Sequence, residues 1–205
     1  MGFDDARADI TAVVLAGGRG QRMDGADKGL LLLHGMPLAE HALRRLRGQA
    51  AHWLINANRN LDRYRGLGVA LCSDAEPGDF HGPLAGIASA LRVCHTPWLL
   101  CVPCDAPHLP SNLAERLLAG AQAAQAPGAI ALSAGLRQPV FCLLRRELLG
   151  SLQQALASGE RKVGRWAAAV GCVEVDFPDP AAFLNINAPA ELAALQDAHP
   201  GQQQL

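Results

Sequence analysis

Along the first half of the chain, short unbroken apolar runs alternate with stretches whose apolar residues recur at helical spacing. Ile10 to Leu15 (ITAVVL) is apolar and rich in β-branched residues, which predicts a strand, and it empties into Ala16-Gly17-Gly18-Arg19-Gly20. Residues 37–47 carry Leu38, Ala42, Leu43 and Leu46 with arginines between them, a helical pattern. Residues 53–56 make a short strand that leaves through Asn56-Ala57-Asn58-Arg59, and residues 69–72 make a third that ends at Asp74. From His81 to Ile87 the sequence HGPLAGI opens a further helix: Pro83 suits its first turn, and Leu84, Ile87, Ala88 and Leu91 form its inner face. Residues 96–102 (TPWLLCV) are a fourth strand, buried by composition, ending in Pro103-Cys104-Asp105-Ala106-Pro107.

The second half keeps the alternation. Residues 109–120 predict a helix with Leu113, Leu117, Leu118 and Ala121 on one side, followed by a small-residue connector over 123–128. Residues 130–132 and 139–144 read as strands around a turn at Gly135, and 151–157 as a helix. Gly159-Glu160-Arg161-Lys162-Val163 is a cationic turn before another helix, and from Phe183 to Leu192 a short strand enters the last helix. Strands and helices in this order build an α/β fold, a mostly parallel sheet covered on both faces. Ligands of such sheets collect beyond the carboxyl ends of the strands. There the polar residues fall: the Gly17 loop, Asn56, Asp74 and Asp105 each follow an apolar run. Asn and Asp also favour plain turns, so Asn56 and Asp74 taken singly stay open to that reading.

Composition narrows the class. The 205 residues fit one domain with a core large enough to fold alone, and half of them are hydrophobic. A formal net charge of −1 argues against a general binder of nucleic acid or membrane surfaces, so any anion site is local. No apolar run approaches the roughly eighteen residues of a membrane span. The first nine residues carry Asp4, Asp5 and Asp9 where a signal peptide needs a basic and then an apolar segment, which predicts a cytoplasmic protein. The six cysteines are scattered in apolar contexts. Cys101-Val102-Pro103-Cys104 has no second ligand pair for zinc and no following helix for thioredoxin-type chemistry, so packing is the expected role of its thiols.

The chemistry centres on the loop after the first strand. Glycines bring main-chain N–H groups close to an anion, and Arg19, Arg22 and Lys28 add the charge a triphosphate needs. A Walker loop does not fit, because two residues separate Gly25 from Lys28 and Gly29 follows the lysine. A dinucleotide fingerprint does not fit either, since Met23 stands where its third glycine belongs.

What fits is the nucleotidyltransferase signature: Leu15-Ala16-Gly17-Gly18, Arg19, Arg22-Met23, Gly25 and Asp27-Lys28. With Gly29-Leu30 and Gly35-x-Pro37-Leu38 it closely resembles the molybdenum cofactor guanylyltransferase family. The resemblance implies a Rossmann-like three-layer α/β/α nucleotidyltransferase fold with an antiparallel edge, a GTP-binding half over about residues 8–106 and a molybdopterin-side half over about 107–198. It implies transfer of GMP from GTP to molybdopterin. Leu15, Ala16, Gly17, Gly18, Arg19, Lys28, Asn56, Asp74, Gly82 and Asp105 would bind nucleotide, with Asp105, Lys28 and Arg22 catalytic. Asn56 and Asp74 match the positions that hold base and ribose, and Gly82 belongs to the GPLAG motif of the base pocket. Asp105, in the PCDxP motif, would hold Mg2+ together with Asn187 of the late Asn185-x-Asn187 pair, Asn185 orienting. Arg161, in a GER segment, faces either the pterin phosphate or solvent, and Asn185 and Asn187 complete the molybdopterin side. Transient contacts with cofactor-insertion proteins and molybdoenzyme chaperones are expected from the family.

Two positions depart from the pattern. Ala188 replaces the usual threonine, which costs a helix cap worth about 1 kcal/mol. Asp24 replaces a common glycine and adds a negative charge beside the phosphate loop. The alternatives are a related nucleotidyltransferase using CTP or a sugar phosphate and a non-catalytic nucleotide-binding module. LAGG, Asn56 and GPLAG favour guanine over the first, and the intact Asp105 and NxN pair disfavour the second.

Overall fold

A computed structural model describes residues 3–18, 26–75 and 82–198. Nine strands are present among them: β1 (Ile10–Leu15), β2 (Leu32–Leu33), β3 (Met36–Pro37), β4 (His52–Asn56), β5 (Ala70–Cys72), β6 (Trp98–Pro103), β7 (Gly128–Ser133), β8 (Leu136–Arg145) and β9 (Val173–Phe177). The helices are α1 (Phe3–Ala6), α2 (Leu38–Leu46), α3 (Leu61–Arg65), α4 (Pro83–Val93), α5 (Leu113–Ala123), α6 (Leu149–Ala157), α7 (Val163–Ala169) and α8 (Pro189–Ala198). Seven strands form one sheet in the order β5-β4-β1-β6-β8-β7-β9, while β2 and β3 pair as a separate hairpin.

The sheet is mostly parallel, as the alternation predicts. β1 runs parallel to β4 and β6, and β4 to β5. The antiparallel pairings lie on the far side, where β8 opposes both β6 and β7 and β9 runs outermost, parallel to β7. Because side chains alternate along a strand, each central strand feeds both faces. Ala12, Val14, Leu100 and Val102 enter a core with Ala42 and Leu46 of α2, Tyr64 of α3 and Leu117 of α5. Val13, Leu99 and Cys101 enter the opposite core with Ile87 and Leu91 of α4, Leu152 of α6 and Trp166 of α7. Burial on both sides explains why these strands read as continuous apolar runs.

Two expectations need correction. The helix predicted over 109–120 is α5, which starts at Leu113. Pro110 disfavours the helical region for the residue before it, and the buried Gln49 marks the real start by accepting from the Ala114 N–H at 3.0 Å. The strand expected at the entrance to the last helix is not in the sheet. There the Ile186 N–H donates to the carbonyl of Asp105 (2.9 Å), and the Ile186 side chain is buried with Leu33 and Leu38. Sequence reasoning also passed over β9, whose alternation of Val173, Val175 and Phe177 with Glu174 and Asp176 is a half-buried strand pattern. The β2–β3 hairpin was passed over as well; it turns through His34 (φ 48°) and Gly35 (φ 77°), the left-handed pair of a tight hairpin.

Candidate active site

The parallel strands end level with one another. Leu15 pairs with Asn56 on one side and Pro103 on the other, and Asn56 pairs with Cys72. Hydrogen bonds carry the ladder one step further, from the Ala16 N–H to Asn56 O (2.8 Å) and from the Cys104 N–H to Leu15 O (3.1 Å). The segments leaving these strands are thereby held side by side around a cleft of about 670 Å³.

Most residues singled out from sequence line that cleft. Leu15, Ala16, Gly17 and Gly18 come from the end of β1, Asn56 from β4, Asp74 from beyond β5 and Asp105 from beyond β6. Lys28, Gly82, Asn185 and Asn187 complete it. Arg19 and Arg22 lie outside the described residues, as does Asp24. Arg161 is not in this cleft. It lines a neighbouring groove with Arg137, Lys162 and Arg165 that meets the cleft at Pro83 and Val140, and its Nη1 donates to the carbonyls of Leu156 (2.9 Å) and Glu160 (2.8 Å).

At the floor of the cleft one cation gathers three distant segments. Lys28 Nζ donates to Asp105 Oδ2 at 2.7 Å and to Asn187 Oδ1 at 3.0 Å. The pair is largely shielded, with side-chain exposures of 23% and 11% for Lys28 and Asp105. Local folding makes this meeting possible. Lys28 begins a 3-10 turn that runs to Leu30, and Asn187 follows Ile186, whose N–H is bonded to the Asp105 carbonyl. Glu191, in the first turn of α8, reaches back to accept from the Asn187 N–H (2.6 Å), which ties the Asn187 segment to the last helix.

A second cluster sits at the end of β4 and β5. Asn56, almost fully buried, donates from Nδ2 to Asp74 Oδ1 (3.0 Å), and Asn58 Nδ2 donates to Asp74 Oδ2 (2.7 Å). The Asp74 N–H returns a bond to Asn58 Oδ1 (2.9 Å). Two glycines leave room for Asn56. A Cβ at Gly86 would lie 2.5 Å from Asn56 Oδ1, and one at Gly17 would lie 3.1 Å from the same oxygen. Close approach of Asn56, rather than helix packing alone, explains the second glycine of GPLAG; Gly82 has φ 74°, a left-handed conformation that suits glycine.

The donor set suits a hard divalent cation. Asp105 offers a carboxylate and Asn187 an amide oxygen, both already turned toward one positive charge. Magnesium keeps several waters and accepts one or two protein oxygens beside phosphate oxygens, so the pair fits it. Among the described residues no three His, Cys, Asp or Glu side chains gather into a metal cluster. Cys104 lines the cleft beside Asp105, but burial first and the neighbouring carboxylate second push its thiol far up, so it stays protonated.

Sequence reasoning missed Asn58, Cys104 and Val140 as lining or supporting residues. It also missed the network behind Lys28, where Tyr64 Oη donates to Asp27 Oδ1 at 2.6 Å. The alternation Asn56-x-Asn58 at the end of a strand was the available signal for Asn58, since residues two apart share a face.

Residues 12–172 match the model of the MobA-like NTP transferase domain. The chain is 49% identical to a molybdenum cofactor guanylyltransferase of Bordetella petrii, an alignment covering 92% of this chain and 98% of that one. It is 50% identical to the enzyme of the same name from Burkholderia vietnamiensis, covering 91% and 95%. Among solved structures it resembles molybdopterin-guanine dinucleotide biosynthesis protein A of Archaeoglobus fulgidus, with TM-score 0.72, 22% identity and coverage of 92% and 97%. It also resembles 2-C-methyl-D-erythritol 4-phosphate cytidylyltransferase of Thermus thermophilus, with TM-score 0.67, 19% identity and coverage of 92% and 98%. These two likenesses concern the fold.

Proposed function

The chain belongs to the MobA-like NTP transferase family, and on that premise we propose that it transfers GMP from GTP to the terminal phosphate of molybdopterin. The products are molybdopterin guanine dinucleotide and pyrophosphate. A phosphate oxygen of molybdopterin attacks the α-phosphorus of GTP, a new P–O bond forms, and the bond to the bridging oxygen of the β-phosphate breaks. A phosphate monoester is largely dianionic near neutrality, because its second pKa is about 6, so no strong general base is required. Catalysis then consists of positioning and charge neutralisation.

Each role falls to a residue of the cleft. The amides that begin at Gly17 and Gly18, with Arg19 and Arg22, grip the triphosphate, Leu15 and Ala16 line the nucleotide beside them, and Lys28 neutralises it. Asn56 and Asp74 hold the base and ribose beside Gly82. Asp105 and Asn187 hold Mg2+, which when bound supplies charge neutralisation at the transferring phosphoryl group. Asn185 and Arg161 serve the molybdopterin side, and the division into a GTP-binding half over 8–106 and a molybdopterin half over 107–198 follows. A cytoplasmic setting, where GTP is made, suits this chemistry; no helix of the described residues is long and apolar enough to cross a membrane.

The observation that carries the reading is the convergence of Lys28, Asp105 and Asn187 on one point of a cleft that Asn56, Asp74 and Asn185 also line. Thermal stabilisation by GTP, CTP, UTP and ATP, each with magnesium, tests the nucleotide. GTP at a hundred times its Kd stabilises by about 2.7 kcal/mol, and the other three less. Equal or greater stabilisation by CTP would move the chain to the cytidylyl branch of the reaction.

A further inference from the structure

Behind the cleft, Arg59 does a job that the proposed reaction does not assign. Its Nη2 donates to the carbonyl of Ala26 (2.9 Å) and to that of Gly18 (3.3 Å). These two residues bracket 19–25, the stretch that carries Arg19, Arg22 and the later glycine of the phosphate-loop signature. Its Nε lies 3.6 Å from Asp27 Oδ2, and the Asp27 side chain is only 4% exposed. Asp27 is itself held in place. It accepts from Tyr64 Oη at 2.6 Å and from Asn60 Nδ2 at 2.9 Å, and Gly29 leaves the space that the Tyr64 hydroxyl occupies. Arg59 does not line the cleft.

We propose that Arg59 is a positioning residue that ties the two ends of the phosphate-binding loop to each other, with buried Asp27 as its anchor. This rests on reading the cleft as the GTP site. Holding both ends in advance removes part of the ordering cost that nucleotide binding would otherwise carry. Arginine suits the task because its Nη2 carries two N–H groups, one for each carbonyl, while Nε on the same rigid plane faces the carboxylate; a lysine ammonium has no such planar array. The Asp27 network matters for the same reason, since a guanidinium with a fixed counter-charge keeps one orientation.

Arg59→Ala, Arg59→Lys and Tyr64→Phe are compared with the unmodified protein in two measurements. One is calorimetric titration with GTP and magnesium; the other is amide hydrogen exchange, without nucleotide, of the peptide covering residues 16–30. Both Arg59 variants bind GTP about tenfold more weakly, the loss expected of one or two hydrogen bonds to a charged donor, and exchange faster across that peptide. Tyr64→Phe removes one of the two hydrogen bonds that hold Asp27 and weakens GTP binding in the same direction as the Arg59 variants but by less; a Kd unchanged in a folded Tyr64→Phe would remove Asp27 as the anchor. Millimolar guanidinium restores GTP affinity to Arg59→Ala and not to Arg59→Lys. Arg59→Lys keeps a cation beside Asp27, so it reports even if Arg59→Ala fails to fold. Unmodified GTP affinity with unmodified exchange in a folded Arg59 variant would overturn the tether, as would full function of the lysine. If the unmodified protein itself binds no GTP, the functional reading fails, while the exchange comparison still decides the tether.

Discussion

At the scale of single residues, the fold holds several buried acids in their neutral form. Burial pushes the Cys72 thiol up to about 11 and that of Cys172 to about 12, and Cys101 rises well above its ordinary value for the same reason. Tyr64 is also raised, by burial first and by its hydrogen bond to Asp27 next. Each is an acid whose neutral form the fold prefers. The unfolded chain therefore binds fewer protons once its thiols ionise near 9, and stability falls as pH climbs beyond that point. For Cys72 the loss runs between pH 9 and about 11. Thermal midpoints measured from pH 7 to 11 should be flat at first and then decline, with Cys72→Ala declining less steeply by up to about 1.4 kcal/mol per pH unit. A decline unchanged by the substitution would place the lost proton elsewhere. The CxxC pair fits the packing role expected of it: Cys101 is fully buried and Cys104 nearly so. The identities of Lys28, Asp105 and Asn187 were legible from sequence because each sits in a motif. Their contact was not, because they lie 77 and 159 residues apart and nothing local sets that meeting.

At the scale of elements, periodicity located β1, α2 and α4 closely, because most of their apolar residues are buried. It failed where tertiary contacts decide. The start of α5 is set by Pro110 and by Gln49 from another segment, and in residues 184–187, which join no strand, the Ile186 N–H bonds to the Asp105 carbonyl. α4 shows how an element reaches the site. Its first turn packs against Asn56, and the absent side chain of Gly86 is what permits it. Gly86→Ala places a methyl 2.5 Å from Asn56 Oδ1 and forces that side chain away from Asp74. The helix itself gains from alanine, by about 1 kcal/mol over glycine, which offsets part of the cost of the clash. GTP binding should weaken by about tenfold, the equivalent of one displaced hydrogen-bonding group. Calorimetric titration checks this, and an unchanged Kd would detach Asn56 from the nucleotide.

At the scale of the whole molecule, the sheet does the assembling. β1, β4, β5 and β6 run parallel and end together, which brings four loops of unrelated sequence to one edge. The small core of Leu33, Leu38 and Ile186 then docks the Lys28 turn and the Asn187 segment against them. This architecture was legible in outline from the alternation of strands and helices, and the resemblance of the motifs added the reaction. The account stands on the claim that the resulting cleft moves a guanylyl group and that Asp105 is indispensable to that step. The direct measurement is release of pyrophosphate and formation of the dinucleotide from GTP, magnesium and molybdopterin, for the unmodified protein and for Asp105→Ala of matched fold. The account predicts equal amounts of the two products from the unmodified protein and a loss of about a hundredfold to a thousandfold in the variant, as for other groups acting on transition-state charge. Turnover by the folded variant at the unmodified rate under saturating magnesium would contradict it.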